Sequence, residues 1–153
     1  MDFGTLLLCK AKALKGGEWA TGYFYEQPIM TCIGTGPEPT AYIITRDPNA
    51  CADWNMPIPL RHVPVDSKTI GLSTGAHDKE GSLLFTGDIV QWGVFLGRIA
   101  IKLSPAGYWQ PYFYWYKENK LVSEQPFSQV GYDFCTLRLV GNVWDNQDLL
   151  GMK

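Results

Sequence analysis

The chain has 153 residues, 46% of them hydrophobic and 18% charged, with a formal net charge of −2 and a sequence pI near 5.6. This length and composition exclude a disordered protein and allow a folded core in one domain or two small ones. The slightly acidic balance argues against binding to a phosphate backbone as the main activity.

The first residues contain a short apolar run at positions 6–8, but Asp2 precedes it and Lys10 and Lys12 interrupt it. Neither a signal peptide nor a membrane span fits this pattern, so we expect a soluble, intracellular protein with no membrane partner. The cysteines never form a C-x-x-C pair, so we expect free thiols packed as small hydrophobic residues. They are Cys9, Cys32, Cys51 and Cys135.

Strand-like segments separated by turn signals begin near the N-terminus. Residues 4–25 predict a β-hairpin that reverses at Gly16 and Gly17 and returns through an aromatic-rich strand. Residues 29–33 and 40–45 predict a second hairpin, whose loop contains two prolines that prevent regular pairing.

A proline-rich connection at residues 47–59 is the longest irregular segment of the chain. We therefore divide the chain into an N-terminal β-hairpin region, residues 1–60, and a second region, residues 61–153, and expect both to belong to one compact unit.

Residues 69–90 contain two strand-like runs around a dense turn signal. The run His-Asp-Lys-Glu at 77–80 is too polar for a core, so we expect the chain to reverse between Asp78 and Gly81. A second turn follows at 86–88, where the carboxylate of Asp88 is expected to accept a hydrogen bond from a turn amide. Three glycines of this stretch can adopt positive φ without a Cβ clash: Gly71, Gly75 and Gly81.

The next strand is predicted over residues 94–103, where apolar and polar side chains alternate with a period of two. Such alternation indicates a half-buried strand with one face toward the core. The apolar positions are Ile99, Ile101 and Leu103, and Arg98, Ala100 and Lys102 lie between them.

Residues 108–116 form the most aromatic run of the chain. As a strand, it places Trp109, Phe113 and Trp115 on one face, which suits a core, and a row of tyrosines on the other. Because Pro111 cannot donate to a ladder, this strand should lie at a sheet edge or carry a bulge. The second face, here named the tyrosine face, is either ordinary packing or a platform for a partner or ligand. It comprises Tyr108, Gln110, Tyr112, Tyr114 and Tyr116.

The last part of the chain predicts a loop, a strand and a single helical turn. Residues 117–131 are polar and should form a loop that packs Leu121 and Phe127 back onto the sheet. Residues 133–143 alternate as the final strand. Asp145 is a candidate N-cap for a turn that Gly151 closes. No segment has a sustained 3.6-residue period, so the fold class is all-β, built of short antiparallel hairpins.

Catalytic motifs are missing from the sequence. Its two histidines, His62 and His77, have no supporting motif, and no metal-binding or phosphate-loop pattern is present. We therefore predict no enzymatic activity, no catalytic residues, no metal site and no cofactor.

Three segments of the chain form a recognisable set. They are Gly17-Glu18-Trp19-Ala20-Thr21-Gly22-Tyr23, then Thr69-Ile70-Gly71 with Thr74-Gly75, Asp78-Lys79, Gly81 and Gly87-Asp88-Ile89-Val90, and finally Val140-Gly141-Asn142-Val143-Trp144-Asp145-Asn146 with Leu149-Leu150. Together they resemble the YopX family of bacteriophages and prophages. The resemblance implies a phage or prophage protein acting in the bacterial host cytoplasm, with an SH3-like β-barrel in its C-terminal half. It carries over no catalytic residue.

The combined expectation is a non-enzymatic accessory protein, a module that binds protein or assembles with itself through the tyrosine face. A homo-oligomer or a host or phage protein is the expected partner. One alternative is a small-ligand binder that sequesters a host nucleotide, because aromatic rings stack on bases. Another uses Arg98, Lys102 and Arg138 as phosphate contacts for nucleic acid, which the acidic pI disfavours.

Overall fold

A computed structural model describes residues 8–27, 40–47, 49, 60–129 and 136–151. In this part of the chain the fold is all-β, as predicted, with antiparallel strands and short 3-10 turns, and no helix is long and apolar enough to cross a membrane. The strands are β1 (Cys9–Lys12), β2 (Trp19–Glu26), β3 (Ala41–Arg46), β4 (Leu60–Pro64), β5 (Gly71–His77), β6 (Leu83–Phe85), β7 (Asp88–Trp92), β8 (Phe95–Leu103), β9 (Trp109–Lys117), β10 (Lys120–Pro126) and β11 (Arg138–Asn142).

The strands form two antiparallel sheets, one in the order β4-β3-β2-β1-β5-β6 and one in the order β10-β9-β8-β7-β11. The chain divides into two compact units, Asp2–Leu72 and Ser73–Lys153. This division falls within β5, later in the chain than the boundary predicted after residue 60.

In the N-terminal unit, β1 and β2 form the predicted hairpin, and both glycines of its turn have positive φ, +86° at Gly16 and +66° at Gly17. Strand β3 pairs with β2 and β4, whereas the predicted strand at 29–33 lies outside the described residues. The core consists of side chains on one face of these strands, together with Val65. Its buried members are Cys9, Ala11, Ala41, Ile43 and Val65.

The N-terminal sheet curls back on itself beyond β4. Val65 forms an antiparallel bridge with Ala13, and the N–H of Leu14 donates to the carbonyl of Pro64 over 3.0 Å. Residues without a bulky side chain allow two backbones to approach closely within this sheet. At Gly22, an added Cβ would overlap the carbonyl oxygen of Ile44.

The C-terminal unit contains the predicted hairpin of β5 and β6, followed by the predicted turn into β7. Positive φ angles occur at Gly75, Gly81 and Gly87, but Gly71 lies in the strand, opposite Lys10. The core of this unit is larger and includes two stacked aromatic rings. Its buried members are Leu84, Val90, Ile99, Phe113, Trp115 and Leu137.

The predicted loop at 117–131 is wrong, because it contains the seven-residue strand β10, Lys120–Pro126, which pairs with β9. The connecting turn has positive φ at Glu118 (49°) and Asn119 (62°), as hairpin turns require, but it lacks the glycine that signals such turns. Phe127 packs onto the sheet as predicted, 4.3 Å from Phe113 between ring centroids. Leu121 does not, since it is 54% exposed.

Pro111 does not mark an edge strand, because β9 lies between β8 and β10. The pairing of β9 with β8 is regular and includes the pair Ile101 and Pro111. The pairing of β9 with β10 ends at Tyr112. The proline therefore lies just past the last β10 pair, where a missing N–H costs no hydrogen bond between these strands.

The final strand is shorter than predicted, and 133–135 lie outside the described residues. The closing turn is the 3-10 segment Gln147–Leu150, whose N-cap position is Asn146 rather than Asp145. The carboxylate of Asp145 instead accepts a hydrogen bond from the side-chain amide of Asn142. Gly151 ends the turn in the left-handed conformation, as predicted.

Candidate functional site

The tyrosine face lies on β9, which pairs with β8. The side chains of Arg98 and Lys102 on β8 lie on the same side of the sheet as the tyrosine face. Four of its members are half-buried, and Tyr108, just before the strand, is 56% exposed. The side-chain amide of Gln110 donates to the hydroxyl of Tyr112 over 3.2 Å. The structure thus brings the predicted residues together along one strand.

Cations from β8 cover part of the tyrosine face. Lys102 Nζ lies 5.3 Å from the ring centroid of Tyr112 and 6.0 Å from that of Tyr114. The guanidinium carbon of Arg98 lies 6.0 Å from the Tyr114 centroid. All three distances are in the range of cation–π attraction, so two of the tyrosine rings already have a charged neighbour.

Lys102 also reaches across β9 to Glu124 on β10 and forms an ion pair with its carboxylate. This hydrogen bond raises the pKa of Lys102 above its ordinary value. The Nε atom of Arg98 is buried and has no hydrogen-bond partner among the described residues. The face is therefore a mixed surface of rings, cations and a carboxylate rather than a bare aromatic platform.

The opposite face of the β8–β9 hairpin carries a row of apolar side chains, of which one end is buried in the core and the other end is exposed to solvent. The pairs Gly97 with Trp115 and Ile99 with Phe113 lie at the buried end. The next two pairs on the same face, Ile101 with Pro111 and Leu103 with Trp109, extend into solvent.

This exposed end, which we name the apolar tip, consists of Ile101, Leu103 and Trp109, with exposed fractions of 41%, 52% and 65%. The structure therefore corrects two predictions. Trp109 shares a face with Phe113 and Trp115 but is not in the core. In the second half of β8, the apolar side chains of Ile101 and Leu103 are exposed instead of packing against the core. The alternation is present, but no strand or 3-10 turn among the described residues buries the side chains at its outer end.

The buried carboxylate of Asp78 also corrects the sequence interpretation, which placed residues 77–80 in solvent. Asp78 is 4% exposed, and its Oδ1 accepts hydrogen bonds from the N–H groups of Glu80 and Ser82. Burial raises its pKa, but backbone hydrogen bonds, led by that from Leu139, outweigh this effect, and the pKa lies below its ordinary value. This carboxylate holds a turn.

Asp88 has the role predicted for it, because its Oδ2 accepts a hydrogen bond from the N–H of Phe85 over 2.8 Å. His62 Nδ1 lies 3.0 Å from the hydroxyl of Tyr25, and His77 is exposed at the end of β5. Burial raises the pKa of the Cys9 thiol, which forms no disulfide with a described residue, and the other three cysteines lie outside the described residues. Across the described ranges, no group of three His, Cys, Asp or Glu side chains could hold a metal ion.

Sequence reasoning missed a pocket of about 560 Å³ in the N-terminal unit. Strands β2, β3 and β4 and the β1–β2 turn supply its walls, so no single segment could have revealed it. Its lining combines three cations and one carboxylate with a tryptophan and several small side chains. The lining residues are Ala13, Lys15, Glu18, Trp19, Ala20, Thr21, Thr45, Arg46, Arg61, His62, Val63 and Pro64.

Comparisons of the chain with protein-family models, with curated proteins and with solved structures gave no match.

Proposed function

We propose that this chain is a non-enzymatic protein-binding module that assembles with a second copy of itself through the apolar tip. The observation that carries the proposal is the cross-strand pair Leu103 and Trp109, which continues a core face into solvent. Large exposed apolar side chains that are contiguous on one surface mark interaction sites more often than scattered ones do.

A second copy is the partner that this surface fits best. A two-fold interface places the same patch on both sides, so the patch must complement itself. An apolar ladder meets this requirement, and the adjoining tyrosine face is bordered by both a cation, Lys102 on β8, and a carboxylate, Glu124 on β10. Tyr108 of the tyrosine face and Trp109 of the apolar tip are neighbours in the sequence, and both are exposed, so the two surfaces adjoin there.

The setting that we propose follows the resemblance to the YopX family: an accessory protein of a phage or prophage in the host cytoplasm. An SH3-like barrel within residues 61–153 belongs to this proposal, and the antiparallel strands β5 to β11 supply the strand content that it requires. The proposed lack of enzymatic activity is supported by Asp78 and Asp88, two motif carboxylates that hold turns through backbone amides.

The test is the mass in solution, measured by size-exclusion chromatography with light scattering over a range of protein concentrations. We expect a multiple of the 17.2 kDa chain mass for the wild type and a shift to the single-chain mass for Trp109→Ser combined with Leu103→Ser. Val94→Ser is the matched control, because Val94 is 70% exposed in the same unit but lies outside the tip.

A second pair of variants, Tyr112→Ala and Tyr114→Ala, measures the contribution of the tyrosine face to the same mass. A wild type that stays monomeric at every concentration would contradict the proposal. So would an oligomer that Trp109→Ser with Leu103→Ser leaves intact.

A further inference from the structure

The pocket of the N-terminal unit lies at one end of the curled sheet. The segment after β4 meets the end of β1 there, since the N–H of Asp66 donates to the carbonyl of Lys12 over 2.9 Å and Ala13 forms a bridge with Val65. The lining residues come from the β1–β2 turn, the first residues of β2, the end of β3 and strand β4. We call the side of the sheet that carries the core its inner face.

The alternation of side chains along each strand separates the lining into two groups. Thr45 on β3 is paired with Arg61 on β4, two positions from the core pair Ile43 and Val63. Residues two apart on a strand share a face, so Thr45 and Arg61 lie on the inner face, beyond the core. Ala20 also belongs to the inner face, because it packs against the same core cluster.

The second group lies on the opposite side of the sheet. Trp19 precedes Ala20 and Arg46 follows Thr45, so alternation places both side chains on the outer face. The contact of Lys10 with Trp19 agrees with this placement, since Lys10 lies between two core positions of β1 and its Nζ is 5.3 Å from the indole centroid. The inner lining therefore contains no aromatic side chain among the described residues.

An aliphatic floor and a polar edge distinguish the inner lining. The floor consists of Ala13, Ala20 and Val63, and the edge carries the guanidinium of Arg61 next to the hydroxyl of Thr45. Neither of these two side chains has a hydrogen-bond or ion-pair partner among the described residues. A guanidinium can donate to both oxygens of a carboxylate at once, and a hydroxyl supplies a further donor.

The charge and the size of the site restrict its ligand. The β1–β2 turn contributes Lys15 and Glu18 to the lining, so that with Arg61 two cations accompany one carboxylate. A ligand with a single negative charge balances this set. The volume, about 560 Å³, falls inside the range that is usual for small-molecule sites, roughly 300–1,000 Å³.

We propose that this pocket binds a small monocarboxylate with an aliphatic tail. Its carboxylate is held by the guanidinium of Arg61 and the hydroxyl of Thr45, and its tail lies on Ala20 and Val63 toward the core. The site goes beyond the proposed function, since all its residues lie in the unit Asp2–Leu72 and the apolar tip lies in Ser73–Lys153.

The test is a titration of the full chain with butanoate, hexanoate and octanoate, followed by amide chemical shifts. We expect the amides of Ala20, Thr45 and Arg61 to shift. The affinity should rise about fourfold for each methylene that the floor covers, because each removes apolar surface from water. Octan-1-ol and octylamine have the same tail without the carboxylate and should bind more weakly than octanoate.

Variants separate the head of the ligand from its tail. Arg61→Gln should weaken octanoate binding by about tenfold or more and leave octan-1-ol binding unchanged, because it removes only the charge-assisted contact. Thr45→Val keeps the shape of the side chain and should weaken octanoate binding in the same direction. Arg46→Gln is the matched control, because Arg46 adjoins Thr45 on β3 but lies on the outer face, and we expect no change.

A thermal melt of each variant separates a lost contact from a lost fold, and the shift mapping on the wild type needs no variant. The inference would be overturned by shifts confined to residues outside the pocket, by an affinity that does not rise with chain length, or by equal losses for Arg46→Gln and Arg61→Gln. Tighter binding of N-acetyl-leucine than of octanoate would also overturn it, in favour of a peptide C-terminus. Failure here leaves the self-association test unaffected.

Discussion

The carboxylate of Asp78 accepts a hydrogen bond from the backbone N–H of Leu139, 61 residues later in the chain, over 3.0 Å. Next to it, the N–H of Lys79 donates to the carbonyl of Leu137 over 2.9 Å. These bonds tie the β5–β6 turn to the start of β11. A single buried side chain thus links a local turn to the last strand of its unit.

The first prediction concerns the loss of this link. Asp78→Ala leaves three backbone N–H groups without their acceptor, and we expect it to lower the free energy of unfolding by about 3 kcal/mol. The measurement is urea unfolding followed by circular dichroism. Asp148→Ala is the control, because Asp148 is an exposed aspartate and its loss should change stability by less than about 0.5 kcal/mol. Equal losses for the two variants would show that the Asp78 bonds do not stabilise the fold.

The second prediction is a dependence of stability on pH. Because the pKa of Asp78 is lower in the folded protein than its ordinary value of about 3.9, the unfolded chain binds the proton more readily. The stabilisation is therefore fully present above that ordinary pKa and is lost as pH falls through the lower, folded-state pKa.

Unfolding of the wild type and of Asp78→Asn at several pH values isolates this contribution. Asparagine keeps the shape but does not ionise, and its amide would point a donor at Glu80 and Ser82 or at Leu139. We expect the stability difference between the two proteins to be largest near neutral pH and to shrink in acid. A difference that is constant with pH would mean that ionisation of Asp78 contributes nothing.

The third prediction concerns Gly87, where backbone conformation and packing both require glycine. Its φ is +89°, and an added Cβ would overlap the indole ring of Trp144. Gly87→Ala should therefore cost about 2 kcal/mol or more, the sum of a strained backbone and a displaced ring.

Gly107→Ala separates these two causes. Gly107 has nearly the same φ, +87°, but nothing lies within 4 Å of an added Cβ. We expect this variant to lose only the backbone part, about 1 kcal/mol. Equal losses at the two positions in thermal unfolding would show that contact with Trp144 adds nothing.

The sequence predicted the parts of the fold that have a strong local signal. Alternation identified β8 and β9, and the glycine pair at 16 and 17 identified the first turn, because each is fixed by steric rules within a few residues. Strand β10 was missed because its solvent-exposed residues do not alternate and its turn uses Glu118 and Asn119 instead of glycine.

The candidate sites were less predictable because they depend on sheet order. The pocket combines residues of β2, β3 and β4 with a turn, and only the curl of the sheet brings them together. Likewise, the pattern that places Trp109 beside Phe113 on one face does not reveal where the core ends. Asp78 was predicted to be exposed because the sequence shows that its side chain is charged. The sequence does not show the backbone N–H groups whose hydrogen bonds compensate for burying that charge.

The resemblance to a phage family rests on residues that prove to hold the fold. Gly22 allows the close approach of Ile44, Gly87 makes room for Trp144, and Asp78 and Asp88 bind turn amides. Such motifs specify backbone geometry, and the pocket lining and the apolar tip lie mostly outside them.

Two indoles on one face of β9 differ sharply in access to solvent, with Trp109 65% exposed and Trp115 4% exposed. A neutral quencher such as acrylamide will reach the first and spare the second. The chain has six tryptophans, so the difference in quenching between the wild type and a Trp109→Phe variant reports whether the tip of the hairpin is covered, at any dilution and without a chemical tag.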